Sequence, residues 1–552
     1  MTPICRCVCV LALFCAEAIS DEAPRKKLIE IGWDIPSTRE LREHWQEMER
    51  APFDGVIFKL EVEGANSQAF WNAKPWKKEW VQAALDDLKA CAFKRFTHNF
   101  VRVNSTPGNV DWFNDADWTT LTEKTQLVAW LAHESGCKGI CLDPEPYGKI
   151  IFRYDASGGR TFKESAAVVR KRGGQFMAAI KGQFPNATVL SFFLNSQPMK
   201  AGDVDDPQSE LSGDHYGLLP AFVDGMLDSI GPEMTLVDGC ECAYRYDDVL
   251  AYLNTYNRVR TRSGPAMRLV SPENRAKYQA QVQVGFGFYL DCFLNAETSP
   301  WYIGGGGGSR LERLRRNLAL ARQVCDEYVW VYGEQCRWWK TTPSKWNENA
   351  VKDTPGKGRL WEEAMPGITR AIRFAGDPVG AAREEIADGK KKGTLKNLIE
   401  NASFEEAEGS KPKAFSTWQA KESHGTFSAD RATGRGGAGS AKAVNVTNGC
   451  FLQKHEAKAG ETYVIEADCL RKGGSACSIL VRWQTKDGRW TLEHLDQAVS
   501  FLRVEGVEWE HASGVVTVPA GAEQIVILLR VAGQSKEEDA CWFDDVGLYK
   551  LE

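Results

Sequence analysis

From Leu28 onward the chain repeats one pattern eight times: a short apolar run of strand-forming residues, then a longer amphipathic stretch. The runs are Leu28–Asp34, Gly55–Glu61, Asn99–Asn104, Gly139–Glu145, Thr188–Asn195, Met234–Glu241, Val284–Asp291 and Tyr328–Glu334. Helical spacing marks Thr38–Arg50, Lys77–Cys91, Thr122–Ser135, Phe162–Phe184 and Arg310–Glu327 between them. Ser37…Glu40 and Ser309…Glu312 have the spacing of capping boxes at two helix starts. Alternation of this kind implies a parallel sheet, because each parallel pairing needs a crossover long enough to hold a helix. Eight such units close on themselves, so residues 28–375 are predicted to form a (β/α)8 TIM barrel.

Within a barrel strand every second side chain points inward. That phase puts Glu30, Gly32 and Asp34 inside on the first strand, with Ile29, Ile31 and Trp33 outside. It puts Cys141, Asp143 and Glu145 inside on the fourth, Gly285, Gly287, Tyr289 and Asp291 on the seventh, and Trp330, Tyr332 and Glu334 on the eighth. The strand ends then carry Asp34, Glu61, Asn104, Asp143, Glu145, Asn195, Asp238 or Glu241, Asp291 and Glu334, all at the face where barrel enzymes keep their active sites. So many carboxyl groups in one pit must share protons, bind substrate or pair with Lys59 and Arg102. A purely ion-paired barrel interior is the competing reading.

Composition narrows the class. A formal net charge of −6 without a basic run argues against nucleic-acid or anionic-membrane binding, and no later segment is apolar enough to cross a bilayer. At the start, Arg6, the apolar stretch Val8–Cys15 and the small-x-small sequence Ala16-Glu17-Ala18 read as a signal peptide over 1–20. The expected location is therefore secreted or periplasmic. Cys240-Glu241-Cys242 lacks the C-x-x-C spacing of a zinc site, and disulfide pairing is not readable from sequence.

After Phe374 the pattern changes. Residues 376–396, rich in glycine and charge, read as a linker, with a last surface helix as the alternative. From Asn397 to the end, short β runs separated by Gly, Asn and Lys turns predict an all-β sandwich over 397–552. Its opening, Asn397-Leu398-Ile399-Glu400-Asn401-Ala402-Ser403-Phe404-Glu405, and its close, Cys541-Trp542-Phe543-Asp544-Asp545-Val546-Gly547-Leu548-Tyr549, resemble the ends of jelly-roll carbohydrate-binding modules attached to bacterial cellulases and xylanases. That resemblance implies sugar binding and a structural calcium held by Glu405 and Asp544 or Asp545. Trp418, Phe451, Trp483 and Trp490 are the candidate ring-stacking residues, half of them expected in the core.

In the fourth strand, Gly139-Ile140-Cys141-Leu142-Asp143-Pro144-Glu145 is similar to the D-G-x-D-x-D-x-E signature of chitinase-like hydrolases, with Cys141 at the first acidic position. The similarity implies a general acid at Glu145 and an orienting role for Asp143. Glycoside hydrolysis needs a second carboxylate opposite the acid. Glu334 on the facing eighth strand is the first choice, with Asp291 and Glu241 the alternatives. Asp34, Glu61, Asn104, Asn195, Tyr289, Trp338 and Trp339 are expected to contact sugar, and Trp346 follows on the same loop. The expected function is hydrolysis of a polysaccharide or oligosaccharide without a catalytic cofactor. A catalytically inactive polysaccharide-binding or scaffolding protein is the alternative.

Overall fold

The computed structural model describes residues 26–306, 308–340, 358–502 and 508–551; the expected signal peptide, Trp346 and Gly307 lie outside them. The chain divides into two units between Ile372 and Arg373.

The strands of the first unit are β1 (Lys27–Gly32), β2 (Gly55–Lys59), β3 (Phe100–Asn104), β4 (Gly139–Asp143), β5 (Thr188–Ser191), β6 (Thr235–Asp238), β7 (Val282–Val284), β8 (Phe286–Tyr289) and β9 (Tyr328–Gly333). They form one parallel sheet in the order β8-β9-β1-β2-β3-β4-β5-β6-β7. Its two end strands, β7 and β8, are separated in sequence only by Gly285, whose N–H donates to the Asp238 carbonyl at 2.9 Å. The result is a nearly closed α/β barrel. Partnered residues include Gly32 with Gly333, Asn104 with Asp143, and Ser191 with Asp238, so the C-terminal strand ends stand level on one rim.

Helices follow the strands as the apolar spacing requires: α1 (Thr38–Met48), α2 (Lys78–Lys89), α3 (Asp115–Glu134), α4 (Phe162–Gln183), α5 (Leu219–Ser229), α6 (Val249–Arg260) and α7 (Arg310–Val324). Ser37 and Glu40 make the expected capping box on α1. The one expected on α7 is not made, since Ser309 caps nothing with its side chain. A box not read from sequence, Thr161 with Glu164, starts α4.

The strand phase holds where side chains report it. Trp330 lies inside the barrel, stacked on Phe192 at 4.4 Å, with its indole N–H donating to the Gly239 carbonyl at 2.8 Å. It fits because Gly287 faces it: a Cβ there would sit 2.7 Å from the Trp330 ring. Phe286 points the other way, onto Tyr252 of α6. Trp33 departs from its outward assignment. It follows the end of β1, where the alternation no longer applies, and its indole N–H reaches the Tyr332 hydroxyl at 3.0 Å.

The second unit is built of antiparallel sheets. One has the order β10 (Ser416–Gln419), β13 (Asn448–Glu456), β19 (Gln524–Ala532), β15 (Ala476–Gln484), β16 (Trp490–Thr491), with β17 (Gln497–Ser500) also on β15. The other has β11 (Thr426–Asp430), β12 (Ser440–Val444), β20 (Ala540–Leu551), β14 (Thr462–Lys472), β18 (Glu510–Thr517). Phe451, Ile479, Trp483 and Ile527 of the first pack against Ala441, Ile465, Phe543 and Leu548 of the second in one buried core.

Residues 376–396 take the helical alternative over most of their length. Pro378–Lys392 forms helix α8, capped by Asp377 and closed by Gly393 in the left-handed conformation. Its Ala381, Ala382 and Ile386 are buried against Val464, Tyr549 and Leu551. Three apolar residues on one helix face were enough to outweigh the charged composition.

The acids expected to hold calcium lie near one another, the charges of Asp545 and Glu405 adding to the burial that raises Asp544 to about 6. Asp544 accepts the N–H groups of Arg435, at 2.7 Å, and of Asp545, while Glu405 accepts that of Gly439 at 2.9 Å. Among the described residues no group of three or more His, Cys, Asp or Glu side chains is arranged to hold a metal. Glu405 and Asp544 tie down the 431–439 loop, and Asp545 takes a left-handed backbone within β20, at the bulge where its pairing with β14 shifts register.

Candidate active site

The rim of the barrel carries two kinds of acid. Aspartates are bound to the framework. Asp143 is fully buried, paired with Arg102, and accepts Asn104 Nδ2 and the Glu145 N–H at 3.0 Å. Asp238 accepts the N–H groups of Leu194 and Ser196 at 3.0 and 2.8 Å and braces β6 to the segment after β5. Asp291 accepts the N–H groups of Glu334 and Gln335 at 2.8 and 3.1 Å and is wholly buried, with its carboxyl pushed up to about 6 chiefly by burial. Those bonds tie Asp291 to the backbone that carries Glu334. Asp34 holds the Trp338 N–H at 2.7 Å.

Three glutamates reach beyond that framework. Glu145, two residues past β4, is half-buried and accepts the phenol of the exposed Tyr147. Burial raises its carboxyl, and the charges of Asp143 and Glu334 add to the rise against the pull of Tyr147 and Arg102. Glu241 follows Cys240, a non-glycine residue held at φ 40°, and stands at about 8 through burial first and then the charges of Glu145 and Asp143. It therefore keeps its proton at neutral pH. Glu334 accepts the Tyr332 hydroxyl at 3.0 Å and that of Tyr289. Tyrosines fill the space among these acids. Tyr244 lies within reach of Glu241, Glu145, Tyr332 and Tyr147, and Tyr216 within reach of Glu145 and Glu241. Tyr289 stacks on Tyr332 at 5.4 Å and contacts Tyr244 at 5.1 Å.

The remaining sequence candidates fall outside this group. Glu61 sits on a short hairpin, half exposed and paired with Lys59 at 2.7 Å. Asn195 is fully buried against the Ala266 carbonyl at 3.4 Å. Trp339 is core, its indole N–H on the Asp34 carbonyl, and Trp338 packs between Phe53 and Trp361. Asn104 acts through Asp143 and holds the Thr106 N–H at 2.6 Å. Sequence reasoning missed Tyr147, Tyr216, Tyr244 and Trp301. Only Tyr147 carried a local signal, two residues after the expected acid.

In the sandwich, Phe451 and Trp483 are core, whereas Trp418 and Trp490 are 53% and 43% exposed. Both stand on the first sheet, where Trp418 pairs with Cys450 and Trp490 with Gln484. Between them on the same face lie Leu452, Leu480 and Leu528, and Arg482 lies over Trp490 at 4.3 Å.

No protein-family model and no curated protein matches the chain. Solved structures with local likeness include the carbohydrate-binding module TmCBM61 in complex with β-1,4-galactotriose, at 15% identity, 28% of this chain, 99% of that chain and a TM-score of 0.22. A family 16 carbohydrate-binding module matches at 19% identity over 28% of this chain and 100% of its own, TM-score 0.20. The family 22 module and family 10 modules of a Clostridium thermocellum endo-1,4-β-D-xylanase match at 13% identity over 25% of this chain, TM-score 0.21. That likeness takes in only 26% of the xylanase chain, and one to a bacteriophage tailspike takes in 21% of the tailspike. A Stig cyclase from Fischerella sp. TAU matches equally well, at 14% identity and a TM-score of 0.23.

Proposed function

We propose that the protein is an exported glycoside hydrolase with a (β/α)8 catalytic barrel and an appended jelly-roll sugar-binding module. Counting 282–289 as one strand interrupted at Gly285 gives the eight units. The observation that carries the reading is the trio Glu145, Glu241 and Glu334 on one rim, electrostatically coupled and lined by tyrosines. Glu145 is the general acid: its carboxyl is raised and half-buried, and it follows the C-terminal end of β4. Glu334, oriented by Tyr289, Tyr332 and Asp291, is the opposing carboxylate that serves as nucleophile or base. Glu241, neutral at pH 7, donates a hydrogen bond to a sugar hydroxyl without adding charge to the cluster. The face bearing Trp418 and Trp490 supports polysaccharide capture by the sandwich.

The test is turnover on a glycan panel by the full chain and by Glu145→Gln, normalised to folded protein. The variant should lose roughly 10²–10⁴-fold on natural glycans, and less on substrates whose leaving group needs no proton. Unchanged turnover removes Glu145 from the mechanism. A wild type inert on every glycan that still binds them favours the scaffolding alternative.

A further inference from the structure

The rim is acidic, yet at its edge stands a cation with no carboxylate partner among the described residues. Arg245 closes the short helix that begins at Glu241, and it is exposed. Its Nη1 donates to the Pro300 carbonyl at 2.9 Å, and it makes no ion pair with a carboxylate among the described residues. Its guanidinium lies 5.2 Å from the ring centre of Trp301. Trp301 is 43% exposed, and its edges rest on Tyr244 at 6.0 Å and Tyr289 at 5.9 Å, the same tyrosines that face Glu241 and Glu334. Tyr147, 60% exposed, stands on Glu145. Exposed aromatic rings therefore adjoin the acids, and Trp301 carries a guanidinium beside its ring.

A wide apolar ring left in water suits the apolar face of a pyranose. A guanidinium with unpaired N–H groups beside it suits an oxyanion on that pyranose, because its fork matches carboxylate and sulfate oxygens. The carboxylates of the trio would repel an anionic substituent there, which confines it to the outer position. From this juxtaposition we propose that Trp301 and Arg245 form a subsite for an acidic sugar residue, so that the substrate is an anionic glycan carrying uronate or sulfate groups. The proposal rests on the glycan-hydrolase reading for its substrate, but the subsite binds whether or not the trio cleaves. Arg245 and Trp301 act in binding and are not catalytic residues.

The experiment compares neutral, uronate-containing and sulfated oligosaccharides of matched length. Binding is measured by calorimetry on the full chain carrying Trp418→Ala and Trp490→Ala, which silences the sandwich face. At least one anionic glycan should bind roughly tenfold tighter than the neutral one, the difference a charge-assisted hydrogen bond supplies. Arg245→Gln should erase that preference while leaving neutral binding intact, and Arg245→Lys should restore part of it. Trp301→Ala should weaken both. The preference should shrink as salt is raised, because the pair is exposed. A preference for the uronate or the sulfate arm alone supports the subsite and identifies the group. Equal affinity for all three, or a preference that survives Arg245→Gln with near-UV circular dichroism unchanged, overturns it. If the preference depends on Arg245 but no glycan is cleaved, the hydrolase reading fails and the subsite stands.

Discussion

Replacing Glu241 with glutamine keeps the side chain's shape and removes one ionisable group from the rim. In the folded protein that group stands at about 8 against an ordinary 4.5. Between those values the folded protein holds a proton that the unfolded chain has released. Its favourable contribution is thus fully present below 4.5 and lost as pH rises to about 8. Holding that proton costs about 1.4 kcal/mol for every pH unit above 4.5, so keeping Glu241 in place costs on the order of 3 kcal/mol at pH 7 and 5 kcal/mol above pH 8. The amide of Glu241→Gln bears no such cost. Urea denaturation at pH 5, 7 and 8 should show the variant gaining on the wild type by roughly 3 kcal/mol at pH 7 and more at pH 8, with the two converging near pH 5. Stability curves that run parallel across that range would refute the coupled-acid account of the rim. So would a variant that is destabilised most at pH 8.

Two further perturbations separate the units. Ile386→Ala opens a cavity under α8 and should cost the sandwich about 2–4 kcal/mol, read as faster amide exchange in β14 and β20 with barrel exchange unchanged; no effect would mean that α8 does not belong to the sandwich core. Trp418→Ala with Trp490→Ala should reduce retention on insoluble polysaccharide by roughly ten- to a hundredfold, on the scale of losing two stacking platforms, while the melt barely moves because both rings are exposed. Undiminished retention would shift sugar capture to the barrel.

The period of two in the barrel strands made the inward set legible, including Asp143, Glu145, Tyr289, Tyr332 and Glu334. Which acids remain available was not legible, because the N–H groups that occupy them come from distant sequence. Asp291 is filled by residues 43 and 44 positions away, and Asp238 by residues 44 and 42 positions away. The run Trp338-Trp339 likewise gave no hint that Asp34 binds both residues to the framework. Helix α8 was the second choice in the sequence because its apolar face is only three residues wide in a charged segment. Tyr244 and Trp301 sit on segments after strands, where no periodicity applies.

The geometry nevertheless exposes a rule that composition obscured. Asp34, Asp143, Asp238 and Asp291 all bind backbone N–H groups at the strand ends. Glu145, Glu241 and Glu334 instead meet phenols and one another. An aspartate's carboxyl stays close enough to its own main chain to serve neighbouring amides, which is why it caps and braces so readily. One more methylene carries a glutamate's carboxyl past that layer into the opening. Glu30 supports the distinction by its depth: four residues below Asp34 and only 1% exposed, it meets Asp34 rather than the mouth, and burial followed by the Asp34 charge raises it well above the carboxylate range. It is thereby kept neutral, able to donate its proton toward Asp34, whose buried Oδ1 has no other donor among the described residues. The acidity of the barrel is thus layered, with a neutral carboxyl inside, bracing aspartates at the rim and coupled glutamates at the mouth. Under the proposed hydrolysis the last layer is the one that would meet a substrate.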